Sequence, residues 1–163
     1  MIALDTNLLV YAHRAATPQH HAARSAITRA SQWSTGWGFS LSVILEFWSV
    51  VTHPASAGGP STPEQATDFI ASLRAAGAEV WMPGGRFAER VARLATELSV
   101  VGPRVFDLQI AVMAFEGGAS ELWTADRSFT SVPGLPVVLP LAARGETPRR
   151  RRDRRGTTPP SPR

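Results

Sequence analysis

The chain has 163 residues, 44% of them hydrophobic and 18% charged, which fits one domain with its own core. It contains no Cys, and all of its 17 basic residues are Arg. Disulfide frameworks, thiolate metal sites, cysteine nucleophiles, Schiff-base lysines and the P-loop lysine are therefore excluded. The net charge of +4 is unevenly spread: residues 144–163 carry eight Arg against two acids, and residues 1–143 carry nine Arg against eleven. The basic character belongs to the tail, and the rest of the chain is slightly acidic.

No apolar run approaches the roughly 18 residues of a membrane span. The first residues meet an acid at Asp5 without a basic, then apolar, leader. A cytoplasmic protein is expected.

In chain order, Ile2–Leu4 predicts a short buried strand, and Asn7–Ala16 a helix. Pro18 is placed to open a second helix to about Ala30. Trp37–Leu41 predicts a strand, and Ser42 a cap for a helix from Val43 to Thr52, closed by His53-Pro54. A loop spans 55–62, and Pro63 suits the first turn of a helix ending near Gly77. Glu79–Met82 is a strand candidate. In Arg86–Leu98, the residues Phe87, Val91, Leu94 and Leu98 share one helical face. An apolar helix follows over Val105–Phe115, then strands over Glu121–Thr124 and, at an edge between prolines, Leu135–Leu139. Short strands alternating with helices imply an α/β fold with a mainly parallel sheet, over a domain of residues 1–143. Residues 144–163 hold too little apolar surface to offset ordering entropy, and a disordered Arg/Pro-rich tail is expected.

Four acids sit in apolar company. Asp5 follows the first strand, and Asp126 follows Leu122-Trp123-Thr124. Glu46 is the only charge between Leu41 and Val51, and Asp107 the only acid among Phe106, Leu108, Ile110, Ala111 and Val112. Each has a local explanation: Asp5 as a helix cap, Asp107 as a first-turn acid, Asp126 in an Asx-turn, Glu46 in solvent. Four together ask for a common cause, because unpaired carboxylates in a low-dielectric setting cost several kcal/mol each. Only Arg104 and Arg127 are near in sequence. An oxygen-only donor set without Cys favours a hard cation such as Mg²⁺ or Mn²⁺. Strand C-terminal ends are where sites form in parallel α/β sheets, and Asp5 and Asp126 both lie there.

The blocks carrying these acids are Asp5-Thr6-Asn7, Ser42-Val43-Ile44-Leu45-Glu46-Phe47, Arg104-Val105-Phe106-Asp107 and Leu122-Trp123-Thr124-Ala125-Asp126. In this order, and with a Thr two residues before the last acid, the chain resembles PIN-domain ribonucleases of the VapC type, the toxins of VapBC toxin–antitoxin pairs. The likeness runs from Met1 to about Leu141. It implies a PIN-like α/β/α sandwich in which Asp5, Glu46, Asp107 and Asp126 ring a pocket for one or two Mg²⁺ or Mn²⁺ ions. It also implies a homodimer and a small cognate antitoxin that blocks the site. Where many relatives carry a further acid or Asn two positions after the last Asp, this chain has Ser128, which bears on a second ion.

The expected reaction is metal-dependent hydrolysis of RNA phosphodiester bonds. Asp5 and Asp107 are the first candidates for direct ligands and Asp126 the next, with Glu46 as ligand or general base. Asn7 and Thr124 would orient carboxylates through hydrogen bonds. Arg104 and Arg127 flank two of the acids and are candidate RNA contacts, whereas Arg14 and Arg24 read as ordinary surface. The five Trp read mainly as core, with Trp33 and Trp37, near a loop, as the exceptions open to base stacking. The Arg-rich tail is either a source of salt-sensitive phosphate affinity or a dispensable extension. A phosphoaspartyl phosphatase is disfavoured, since Asn7 stands where a second Asp is needed and no Lys exists. A DNA-directed nuclease and an inactive PIN-like binding module are the remaining alternatives.

Overall fold

The computed structural model describes residues 1–56 and 58–142. The expected domain boundary after 143 and the tail over 144–163 lie outside the described residues.

The elements alternate as β1 (Ile2–Leu4), α1 (Thr6–His13), α2 (His20–Ser31), β2 (Trp37–Ser40), α3 (Leu41–Thr52) and α4 (Pro63–Ala75). They continue as β3 (Glu79–Trp81), α5 (Phe87–Glu97), α6 (Arg104–Glu116), β4 (Glu121–Trp123) and β5 (Val137–Val138). The five strands form one sheet in the order β3-β2-β1-β4-β5, and every pairing is parallel. Parallel neighbours need crossovers, which the six helices supply. With right-handed crossovers, α1 to α4 cover one face and α5 and α6 the other, an α/β/α sandwich. None of these helices is long and apolar enough to cross a membrane.

Strand content follows from burial on both faces. Ile2, Ala3 and Leu4 of β1 are all buried, as are Trp37, Gly38, Phe39 and Ser40 of β2, so neither strand shows polar alternation. Gly38 has a packing reason: a Cβ there would stand 2.5 Å from the Glu79 carbonyl oxygen on β3. The core beneath is built from Leu8, Leu9, Phe47, Leu108 and Leu122, all fully buried.

Several boundaries differ from those expected. α1 stops at His13, and α2 starts at His20, two residues after Pro18. α3 begins at Leu41, and its cap is Ser40 instead of Ser42: the Ser40 hydroxyl accepts the Val43 N–H at 3.4 Å. Ser40 is also the last residue of β2, so strand and helix join without a loop and Glu46 falls in the second helical turn. At α4 the capping box is complete, with Thr62 and Gln65 exchanging bonds and Pro63 in the first turn. On α5, Phe87, Val91 and Leu94 pack on the core but Leu98 is exposed.

Candidate active site

In this strand order β1 stands between β2, reached directly from it, and β4, reached only after the chain has returned from β3. The crevice at the carboxyl ends of β1 and β4 is therefore a topological switch point, where ligands bind in open α/β sheets. Asp5 leaves the end of β1 there, and Thr124, Ala125 and Asp126 leave the end of β4.

Asp5 is 5% exposed, and its carboxylate accepts three hydrogen bonds. As the N-cap of α1 it accepts the Thr6 N–H at 2.7 Å on Oδ1. Its Oδ2 accepts the Asn7 amide and the Thr124 hydroxyl, each at 2.6 Å. Thr124 is completely buried, and its hydroxyl in turn accepts from Asn7 Nδ2 at 2.8 Å and from the Asp126 N–H at 2.9 Å. Asn7 Oδ1 accepts the Ala125 N–H at 2.8 Å. Asn7 and Thr124 thus tie the start of α1 to the turn after β4, with Asp5 between them.

The other three acids approach from separate elements. Glu46, on α3, accepts the Thr6 hydroxyl on Oε2 at 2.6 Å. Asp107, in the first turn of α6, accepts the Thr130 N–H at 3.2 Å. Asp126 Oδ1 accepts both the N–H and the hydroxyl of Ser128, each at 2.7 Å, which is the Asx-turn its local sequence allows. These two bonds from Ser128 hold Asp126 in place.

The acids affect one another. Burial pushes the Asp5 carboxyl up to about 7; hydrogen bonds from Thr124 and Thr6 oppose the rise, and the charges of Glu46 and Asp107 add to it. Asp107 is also raised, first by burial and then by Asp126 and Glu46, against the Thr130 bond and Arg104. Asp126 is held below the usual carboxylate range by its two bonds from Ser128. Two carboxyls raised by burial and by neighbouring carboxylates mark a place where positive charge is wanted.

Among the described residues, no group of three or more His, Asp or Glu side chains is arranged to hold a metal ion by itself. The donor chemistry nevertheless suits a hard cation. All donors are oxygens, and Mg²⁺ commonly takes one or two carboxylates and completes its shell with water.

Three contacts were not foreseen: Thr6 on Glu46, Thr130 on Asp107, and Arg104 on the Asp126 loop. Arg104 donates to the Ser128 carbonyl at 2.7 Å and to the Thr130 hydroxyl at 3.4 Å, so it braces the loop that carries Asp126. Arg127 follows Asp126 in that loop. Arg14, expected at an ordinary surface, donates to the Val51 and Gly59 carbonyls and the Ser56 hydroxyl, clamping the loop after α3. Trp37 is no stacking platform: it is buried in β2. Trp33 packs edge-on to Trp123 at 6.0 Å.

Residues 2–135 match the PIN-domain family. The chain belongs to that family. It is 33% identical over 142 residues to VapC ribonuclease Mb2897 of Mycobacterium bovis and equally to ribonuclease VapC43 of Mycobacterium tuberculosis. Each alignment covers 86% of this chain and 96% of the relative. Among solved structures, Mycobacterium tuberculosis VapC20, described as a sarcin–ricin loop cleaving toxin, superposes with a TM-score of 0.62 at 14% identity. That match covers 79% of this chain and 92% of VapC20. VapBC2 from Rickettsia felis, solved bound to a DNA fragment from its promoter, gives 0.60 at 21% identity, over 85% and 98% of the two chains. These structural likenesses place the fold in the PIN class.

Proposed function

We propose that this PIN-domain chain is a Mg²⁺- or Mn²⁺-dependent endoribonuclease, the toxin of a type II toxin–antitoxin pair. The observation that carries the proposal is the switch-point crevice, where Asp5 and Asp107 are raised by burial and by neighbouring carboxylates. The similarity to VapC ribonucleases over nearly their whole length supports the same reading. Asp5 and Asp107 are the proposed principal ligands, with Asp126 and Glu46 completing the set for one or two ions. When bound, the cation supplies Lewis acidity, lowering the pKa of the attacking water and neutralising charge on the phosphoryl oxygens.

The residues of the chain do the rest. Thr124 and Asn7 hold Asp5 in position, and the bonds from Thr124 and Thr6 oppose the rise that burial imposes on its carboxyl. Thr6 orients Glu46, whose role in this reading is that of ligand or of general base toward the attacking water. Ser128 keeps Asp126 ionised, and Arg104 fixes the loop that presents it. A small antitoxin that covers the crevice, a homodimer and a cytoplasmic setting complete the reading.

The test is cleavage of single-stranded RNA by the purified full-length chain in Mg²⁺, in Mn²⁺, and in chelator. Metal-dependent cleavage by the wild type and none by Asp107→Asn supports the assignment. Equal cleavage by both proteins, or cleavage of DNA in preference to RNA, overturns it.

A further inference from the structure

Beside the carboxylates, α3 and α6 enclose a groove of about 420 Å³ lined by Ser42, Leu45, Glu46, Ser49, Phe106 and Gln109. Two of its walls are exposed apolar side chains: Leu45 is 61% and Phe106 57% exposed. Each immediately precedes one of the proposed ligands, Glu46 and Asp107. Large apolar side chains at a helix surface, beside acids that gather charge, are not explained by the core they leave uncovered.

The lining narrows the occupant. Glu46 is the only charged residue in it, so a phosphate or an acidic peptide is repelled. A docked amphipathic helix would want apolar anchors along the α3 stripe. That stripe is Ser42, Leu45, Glu46 and Ser49, with one apolar member. What fits is a neutral, flat, aromatic group with polar edges. Phe106 brings an exposed aromatic ring to the lining, Leu45 an exposed aliphatic side chain, and Gln109, three residues on along α6, an amide able both to donate and to accept. We infer that this groove receives one unstacked nucleobase of the RNA beside the cleaved bond, with Phe106 as its stacking partner and Gln109 reading its edge. Sequence-selective RNA recognition characteristically splays out single bases onto aromatic side chains in this way. The inference rests on the ribonuclease assignment and adds to it a determinant of which bond is cut.

The experiment uses the full-length chain and a short single-stranded RNA that the wild type cleaves. A matched set of RNAs carries one abasic nucleotide on either side of the cleaved bond. Stacking on one aromatic side chain predicts a loss of about ten-fold in kcat/KM for Phe106→Ala on the intact RNA, with recovery in Phe106→Trp. One abasic RNA should lose a similar factor with the wild type and nothing further with Phe106→Ala. Because Phe106 is exposed, its truncation spares the fold, which a melting curve checks. Additive losses from the two changes overturn the inference. So does unchanged cleavage by Phe106→Ala, whether alone, with a shift to monomer in light scattering (a second copy in the groove), or with weakened binding of a protein partner. Wild-type protein that cleaves no RNA under any metal condition removes the ribonuclease assignment itself.

Discussion

The Thr124 hydroxyl donates to Asp5 Oδ2 at 2.6 Å, joining the ends of two adjacent parallel strands across 119 residues of sequence. The same oxygen accepts from Asn7 and from the Asp126 backbone, so one buried hydroxyl serves three partners. Thr124→Val keeps the shape and removes all three bonds. Unsatisfied buried polar groups cost about 1–3 kcal/mol each. The melting temperature should fall, and RNA cleavage should drop at least ten-fold. The acid limb of the pH–rate profile should move to higher pH, because Asp5 loses its strongest stabilising hydrogen bond. Thr124→Ser should restore most of each.

Asp107→Asn should separate activity from stability. Asn can still accept the Thr130 N–H, while the charge raised by burial and by Asp126 and Glu46 disappears. In metal-free buffer at pH 8 the variant should melt at a higher temperature than the wild type and cleave nothing. A lower melting temperature would mean that the Asp107 charge is balanced by a partner in the fold.

The raised carboxyl of Asp5 fixes the sign of a pH effect. The folded protein keeps that proton up to about 7, whereas an unfolded chain releases it near 3.8. Between those values the unfolded state binds fewer protons, so stability falls as pH rises. Metal-free melting curves should therefore show a declining contribution from pH 4 to pH 7, countered by millimolar Mg²⁺. Asp5→Asn should lack this slope; an unchanged slope would assign it to another group.

Arg104 was a candidate RNA contact from its place beside Asp107, and the structure puts its guanidinium on the Ser128 carbonyl. Arg104→Ala should lower kcat by loosening the Asp126 loop, with the salt dependence of RNA binding unchanged. A phosphate contact would instead reduce the salt slope by about one unit and raise KM.

Much of this was legible because the signals were local. The alternation of strands and helices gives the parallel α/β class, and Pro63 marks the start of α4. Acids set in apolar runs point to the crevice. The junction at Ser40 was not legible, because Ser40 and Ser42 are equally good caps and the choice depends on where pairing of β2 with β3 ends. Nor were the partners of Glu46, Asp107 and Arg104. Thr6, Thr130 and Ser128 are ordinary turn residues in the sequence, and only the tertiary approach of α3, α6 and the turn after β4 gives them work.

At the opposite edge of the sheet, the Met1 carbonyl accepts the Ser120 N–H at 2.8 Å, and Ile2 donates to Gly36 at 3.0 Å. Leu139, by contrast, follows β5 at the same edge as Asp5. An affinity tag or fluorescent fusion ahead of Met1 therefore emerges on the far side from the acids.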